Sequence, residues 1–196
     1  VYPKSVNEVD GKKVFMAEDN GETVIIADAS LGFEGEGFTV ADKEYVKAPL
    51  SNKNGVVLRN LFPFTAPISV LKKDRSFGVG DRLGIASIGH IKVFEKYDAY
   101  PVLAQQSIRE LTLTNRTYED VLDSASFAVF REGFKKGFGA DGDHLKKPED
   151  VKYALDLGFT MITLDCSEYI GTGIEDLSKE EVLARYKKDA ELEEYY

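Results

Sequence analysis

Apolar and polar residues alternate along the first third of the chain. Lys13-Val-Phe-Met-Ala-Glu18 and Glu22-Thr-Val-Ile-Ile-Ala-Asp28 each read as a strand, and Asp19-Asn20-Gly21 between them suits the positive-φ positions of a tight turn. The spacing predicts a β-hairpin. Further strand-like runs, Gly37-Phe-Thr-Val-Ala41 and Gly55-Val-Val-Leu-Arg59, are separated by connectors rich in Gly, Asn and Lys, with no convincing amphipathic helix among them. Residues 1–72 therefore read as a small β-rich domain whose plain role is packing or forming a lid.

From Lys73 onward, strands alternate with helices. Strands are expected within Phe77–Ser87, over Tyr100–Ser107, from Phe138 to His144 and from Thr160 to Asp165. A helix is expected at Ile91–Tyr97. Thr117 with Asp120 forms an N-cap pair ahead of Val121, Leu122, Ala125, Ala128 and Val129, the apolar face of a long helix ending near Gly133 or Gly137. Pro148 suits a first helical position, with Val151, Ala154 and Leu155 facing inward and Gly158 as the stop. Ser178 with Glu181 is a capping box for a last helix through Leu183 to about Leu192, a charged amphipathic segment expected to present a solvated face.

Four successive βα units argue for a parallel sheet covered by helices. An open doubly wound sheet and part of a (β/α)8 barrel both fit. The barrel is favoured because polar clusters recur at successive strand ends, at Asp81-Arg82, Gln105-Gln106-Ser107, Asp141 to Lys146, and Asp165. A complete barrel needs about 250 residues, so residues 73–196 hold about half of one. The expected fold is α/β, a partial (β/α)8 TIM-like barrel preceded by a small β-rich domain, with the remaining half of the barrel coming from a longer chain or a partner chain. The first residue, Val1, also points to an N-terminus lying beyond this sequence.

Charge narrows the partners. Thirty-four acidic against 25 basic residues give a net charge of -9, which lacks the positive footprint that nucleic-acid phosphates require. Nothing resembles a signal peptide or an apolar stretch of about 18 residues, so no membrane partner is expected. The single cysteine, Cys166, lies in the apolar run Phe159-Thr-Met-Ile-Thr-Leu-Asp-Cys, where a small buried thiol and a cytoplasmic location are the expectation.

The densest chemistry is Gly139-Ala-Asp141-Gly-Asp143-His144-Leu-Lys146. Strand alternation places Asp141 and Asp143 on one face, and His144 and Lys146 can turn toward the same mouth. Carboxylate and imidazole serve as general acids and bases or as ligands of a divalent metal, and lysine can fix an anionic oxygen. The bland alternative is a solvated loop before Pro148. Gly78, Gly80 and Gly84 miss the dinucleotide fingerprint, and no P-loop lysine follows. Instead the glycines let the strand curve while Arg82 holds a carboxylate, or Asp81 and Arg82 form a structural ion pair. Gln105, Gln106, Ser107, Thr163 and Asp165 suit sugar hydroxyls or ordinary strand-end capping. His90 is a ligand or a capping residue.

At Arg75-Ser-Phe-Gly-Val-Gly-Asp-Arg-Leu-Gly84, Gln105-Gln-Ser107 and Gly137-Phe-Gly-Ala-Asp-Gly-Asp-His-Leu-Lys146 the chain resembles the tagaturonate epimerase family of bacterial hexuronate catabolism. The resemblance covers most of the chain after Lys73 and, less distinctly, the β-rich start. It implies interconversion of the keto-hexuronic acids fructuronate and tagaturonate with a divalent metal, for which zinc, manganese, nickel and cobalt are candidates, and relatives also accept the ketoses fructose and tagatose. By the resemblance, Asp143 matches a catalytic acid/base, and Ser107 and Thr163 match substrate-pocket positions. The second catalytic carboxylate and most metal ligands would lie beyond Tyr196.

The inverted carbon is β to the ketone, so its hydrogen is not acidic. A retro-aldol route meets this, with Asp143 and Lys146 as the catalytic candidates, His144 as the metal-ligand candidate, and Arg82, Gln106, Ser107, Thr163 and Asp165 as substrate contacts. Arg82 or Lys146 would hold the substrate carboxylate. Transient oxidation by a nicotinamide fits less well, given the missed fingerprint. Another metal-dependent sugar isomerase or aldolase on a TIM barrel, or a non-catalytic fragment, remains the alternative.

Overall fold

The computed structural model describes residues 1–168, 173–185 and 190–195. Residues Val1–Leu164 form one compact unit and Asp165–Tyr196 a second. The first unit contains two sheets, and the chain passes from one to the other after Ala48.

The antiparallel sheet is built from β1 (Asn7–Val9), β2 (Lys12–Asp19), β3 (Glu22–Asp28), β4 (Glu36–Val40) and β5 (Lys43–Ala48), in the order β1-β2-β3-β5-β4. The predicted hairpin is present, with Asp19 paired to Glu22 across Asn20 and Gly21. Both turn residues have positive φ, 50° and 84°, the conformation whose twist matches the flanking strands.

Residues 55–59, expected as a strand, are instead the middle of α1 (Asn52–Leu61). Ser51 caps it by accepting from the Asn54 amide at 3.4 Å, and Asn54, Gly55 and Leu58 are buried at helical spacing. Val56 and Val57 favour a strand locally, but packing against α4 (Tyr118–Glu132) decides the outcome.

The second sheet is parallel, curled and ordered β6 (Ser76–Gly78), β7 (Tyr100–Ser107), β8 (Gly139–Leu145), β9 (Met161–Leu164). Each strand pairs with the next in the chain, without the reversal of order that marks a doubly wound sheet. Intervening helices are α2 (Ser87–Phe94), α3 (Ile108–Thr114), α4 and α5 (Pro148–Asp156). The Thr117–Asp120 capping box and the left-handed Gly133 bound α4 as expected. On α5, Ala154 is buried but Leu155, expected to face inward, is exposed. Strand β6 is exposed throughout, and Phe77 on β6 and Leu164 on β9 are 66% and 64% exposed.

One core joins β7 and β8 to α4, with Leu103, Leu122, Val129 and Phe138 at its centre. Another joins the antiparallel sheet to α1 and to Phe127 and Phe130 of α4. In the second unit the Ser178–Glu181 capping box opens α6 (Lys179–Arg185), and α7 covers Ala190–Tyr195. The part of the expected last helix at 186–189 lies outside the described residues. Cys166 is exposed rather than buried, because β9 stops two residues before it. Among the described residues, no helix is long and apolar enough to cross a membrane.

Candidate active site

The C-terminal ends of β7 and β8 bring Ser107 and Asp143 side by side in register. Beyond Asp143 the register with β9 shifts, and His144 adopts a left-handed φ of 56°. A non-glycine residue rarely holds that conformation, and an irregularity at a strand end re-aims the side chains around it. Here it sets the His144 ring beside its neighbour's carboxylate, with Nδ1 2.7 Å from Asp143 Oδ1 and the imidazole side chain 61% exposed.

Beneath this pair lies a buried layer on the same face of the sheet. Asp141 is fully buried, and its Oδ2 accepts from Gln105 Nε2 at 3.0 Å and from the Thr163 hydroxyl at 2.8 Å. Thr163 has one proton and gives it to Asp141, so its oxygen meets any further partner as an acceptor. Asp141 Oδ1 is buried without a hydrogen-bond partner among the described residues. Gly78 completes the row on β6, since a Cβ there would approach Gln105 Oε1 to 2.6 Å.

The two glutamines of β7 divide their work. Gln105 faces Asp141. Gln106 is fully buried and satisfied by its surroundings, donating to Arg82 O and Thr114 Oγ1 and accepting from Arg116 Nη1 at 3.1 Å. It therefore pins the loop after β6. Asp81 pins the same loop from within, with Oδ1 accepting from the amides of Gly84 and Ile85 and Oδ2 from those of Ala86 and Ser87, at 2.7–3.1 Å. Burial opposes ionisation of Asp81, but these amides outweigh it and hold the carboxyl below its ordinary pKa. Asp81 and Arg82 do not form the structural pair that the sequence left open. Arg82 pairs with Glu110, in the first turn of α3.

Helix α3 and its Glu110 were not anticipated, although Ser107-x-x-Glu110 is a capping box written in the sequence. Lys146 is exposed just past β8. Asp165 lies in the second unit, where its Oδ1 accepts from the Ser167 amide at 2.9 Å. His90 sits inside α2 with Nδ1 buried and unpartnered among the described residues. A cavity of about 720 Å³ lies against α4 between Leu50, Ile85 and Phe127, and neither Asp143 nor His144 lines it.

The Asp143–His144 pair fits a divalent metal in one respect. An imidazole hydrogen-bonded to a carboxylate through Nδ1 has its ring fixed and leaves Nε2 for a ligand. Among the described residues no three carboxylate, imidazole or thiol groups converge on a metal position, so His144 alone would be one ligand of several.

The tagaturonate epimerase family matches residues 2–196. The tagaturonate/fructuronate epimerase of Thermotoga maritima is 37% identical over 174 residues, covering 87% of this chain and 36% of its own length. Two crystal structures of the fructuronate-tagaturonate epimerase of Cohnella laeviribosi, native and with one glycerol, superpose with a TM-score of 0.87 at 43% and 44% identity. Each comparison covers all of this chain and 40% of the Cohnella chain, so the chain spans about two fifths of the length of these relatives. With the family match running from residue 2 to residue 196 and the fold shared at this level of identity, the chain belongs to the tagaturonate epimerase family.

Proposed function

We propose that this chain supplies the first half of a (β/α)8 barrel and one side of an active site that interconverts fructuronate and tagaturonate in the cytoplasm. Sequential parallel strand order and the exposed Phe77 and Leu164 on the two outer strands support the barrel, because a closed barrel covers such edges. The rest of the barrel belongs to a longer chain or a partner chain. The observation that carries the activity is the Asp143–His144 pair held at a strained strand end in a chain of this family.

Counting from the hydroxymethyl end, the ketone is carbon 2 and the inverted centre carbon 4. Asp143 accepts the carbon 4 hydroxyl proton as the bond between carbons 3 and 4 breaks, its electron pair passing into the enolate of the three-carbon fragment. Carbon 4 becomes an aldehyde, turns its other face, and is attacked by the enolate while Asp143 returns the proton. His144 would be one ligand of a divalent cation, which would supply Lewis-acid stabilisation of the charge on the enolate oxygen. Lys146 supports the same anionic oxygen, while Ser107 and Thr163 meet sugar hydroxyls. Thr163 does so as an acceptor.

The test is turnover of fructuronate and fructose by the full-length protein, after chelation and after return of zinc, manganese, nickel or cobalt. Metal-restored formation of tagaturonate or tagatose is expected. Asp143→Asn should lower kcat by about 10³-fold, within the range for losing a general acid/base, with substrate binding kept within a few-fold. Near-normal turnover by that variant rules out the role given to Asp143.

A further inference from the structure

We infer that Glu110 is a positioning residue that presents Arg82 as a clamp for a substrate carboxylate, so that the pair sets the preference for an acid sugar over its uncharged counterpart. This rests on the epimerase reading above. Glu110 is largely buried, with 14% of its side chain exposed, and both carboxylate oxygens are engaged. Oε1 accepts from Arg82 Nε, and Oε2 accepts from the Ser107 amide at 3.3 Å. One side chain thus ties the arginine to the strand end that carries Ser107, which pairs in register with Asp143.

The backbone of Arg82 is fixed independently. Its carbonyl accepts from Gln106 Nε2 at 3.3 Å and from Arg116 Nη1 at 3.2 Å, while Asp81 holds the residues that follow. Yet the Arg82 side chain is 69% exposed, and neither Nη makes a hydrogen bond among the described residues. A guanidinium gripped by its Nε edge still offers its end, where two parallel N–H groups match the two oxygens of a carboxylate. A mobile surface arginine loses rotamer freedom when it binds. Here Glu110 has already imposed that order.

The charge of Glu110 does not cancel the clamp. It faces the Nε edge and the N-terminal turn of α3, which favours negative charge. Retro-aldol cleavage gives the clamp a purpose, because the carboxylate, carbon 6, stays on the aldehyde fragment. Holding it at Arg82 lets carbon 4 turn over without loss of the fragment.

The experiment compares wild type, Glu110→Gln and Arg82→Met in the full-length protein. Two readouts are taken on fructuronate and fructose: the ratio of their kcat/KM values, and their binding by calorimetry. Glutamine still serves as the third residue of a capping box, so Glu110→Gln keeps α3, and Arg82 is exposed enough for Arg82→Met to fold. The expected result is a fall in the fructuronate-to-fructose ratio of about tenfold in Arg82→Met and several-fold in Glu110→Gln, carried by the KM for fructuronate. Equal losses on both sugars, or unchanged ratios, overturn the inference and leave the epimerase reading standing. If wild type turns over neither sugar yet binds fructuronate through Arg82 and Glu110, the epimerase reading fails and the clamp stands.

Discussion

Asp81 shows how a single carboxylate can hold a functional loop in shape. Four backbone amides converge on it, and its folded-state pKa lies below the ordinary value because they outweigh its burial. The lower pKa belongs to the folded state, so the ionised group stabilises the fold in full above the unfolded value of about 3.9. That contribution disappears as pH falls through the folded value. Urea unfolding from pH 7 to pH 2 should show wild type losing stability below about pH 4, and Asp81→Asn losing less over that window from a lower plateau. Asp81→Ala, which leaves the amides unanswered, should cost about 3 kcal/mol at pH 7. At this scale the sequence was partly legible. The adjacency of Asp143 and His144 was visible, but not the left-handed turn that joins their side chains. On the sequence alone Gln106 is the expected substrate contact, but tertiary packing turns Gln105 toward Asp141 and occupies Gln106 with Arg82, Thr114 and Arg116.

Among the elements, those with their own terminal chemistry could be read in advance. Strand β7 and helix α4 run where their capping residues and apolar spacing put them. Helix α1 could not be read, because its stabilising partner is distant in the chain. Gly55, which lowers helix propensity, is required where α1 meets the Asp123 carboxylate, since a Cβ there would collide with it. Burial pushes the Asp123 carboxyl above its ordinary pKa, although Arg59 and Asn52 both hydrogen-bond to it and pull it back. A comparable constraint joins β6 to β7. Gly78→Ala should displace the Gln105 amide, break its bond to Asp141 and lower stability by about 1–2 kcal/mol. Chemical denaturation measures the loss, and a crystal structure of the variant with Gln105 unmoved would disprove this account of Gly78.

For the Val1–Leu164 unit, the governing feature is α4. Val121, Leu122, Ala125 and Val129 belong to the core under the parallel sheet, while Phe127 and Phe130 belong to the core under the antiparallel one. Phe130 packs against Phe62 and Phe64 with ring centroids 5.2 and 6.2 Å away. Phe130→Ala should therefore destabilise by about 3–5 kcal/mol and do so in one transition. Circular dichroism and tyrosine fluorescence followed together would reveal two transitions if the sheets unfold separately. A helix that closes two cores also makes them kinetically inseparable. Its central amides should exchange with deuterium only when the whole unit opens, at one shared rate, so neither sheet can come apart while the other stays whole.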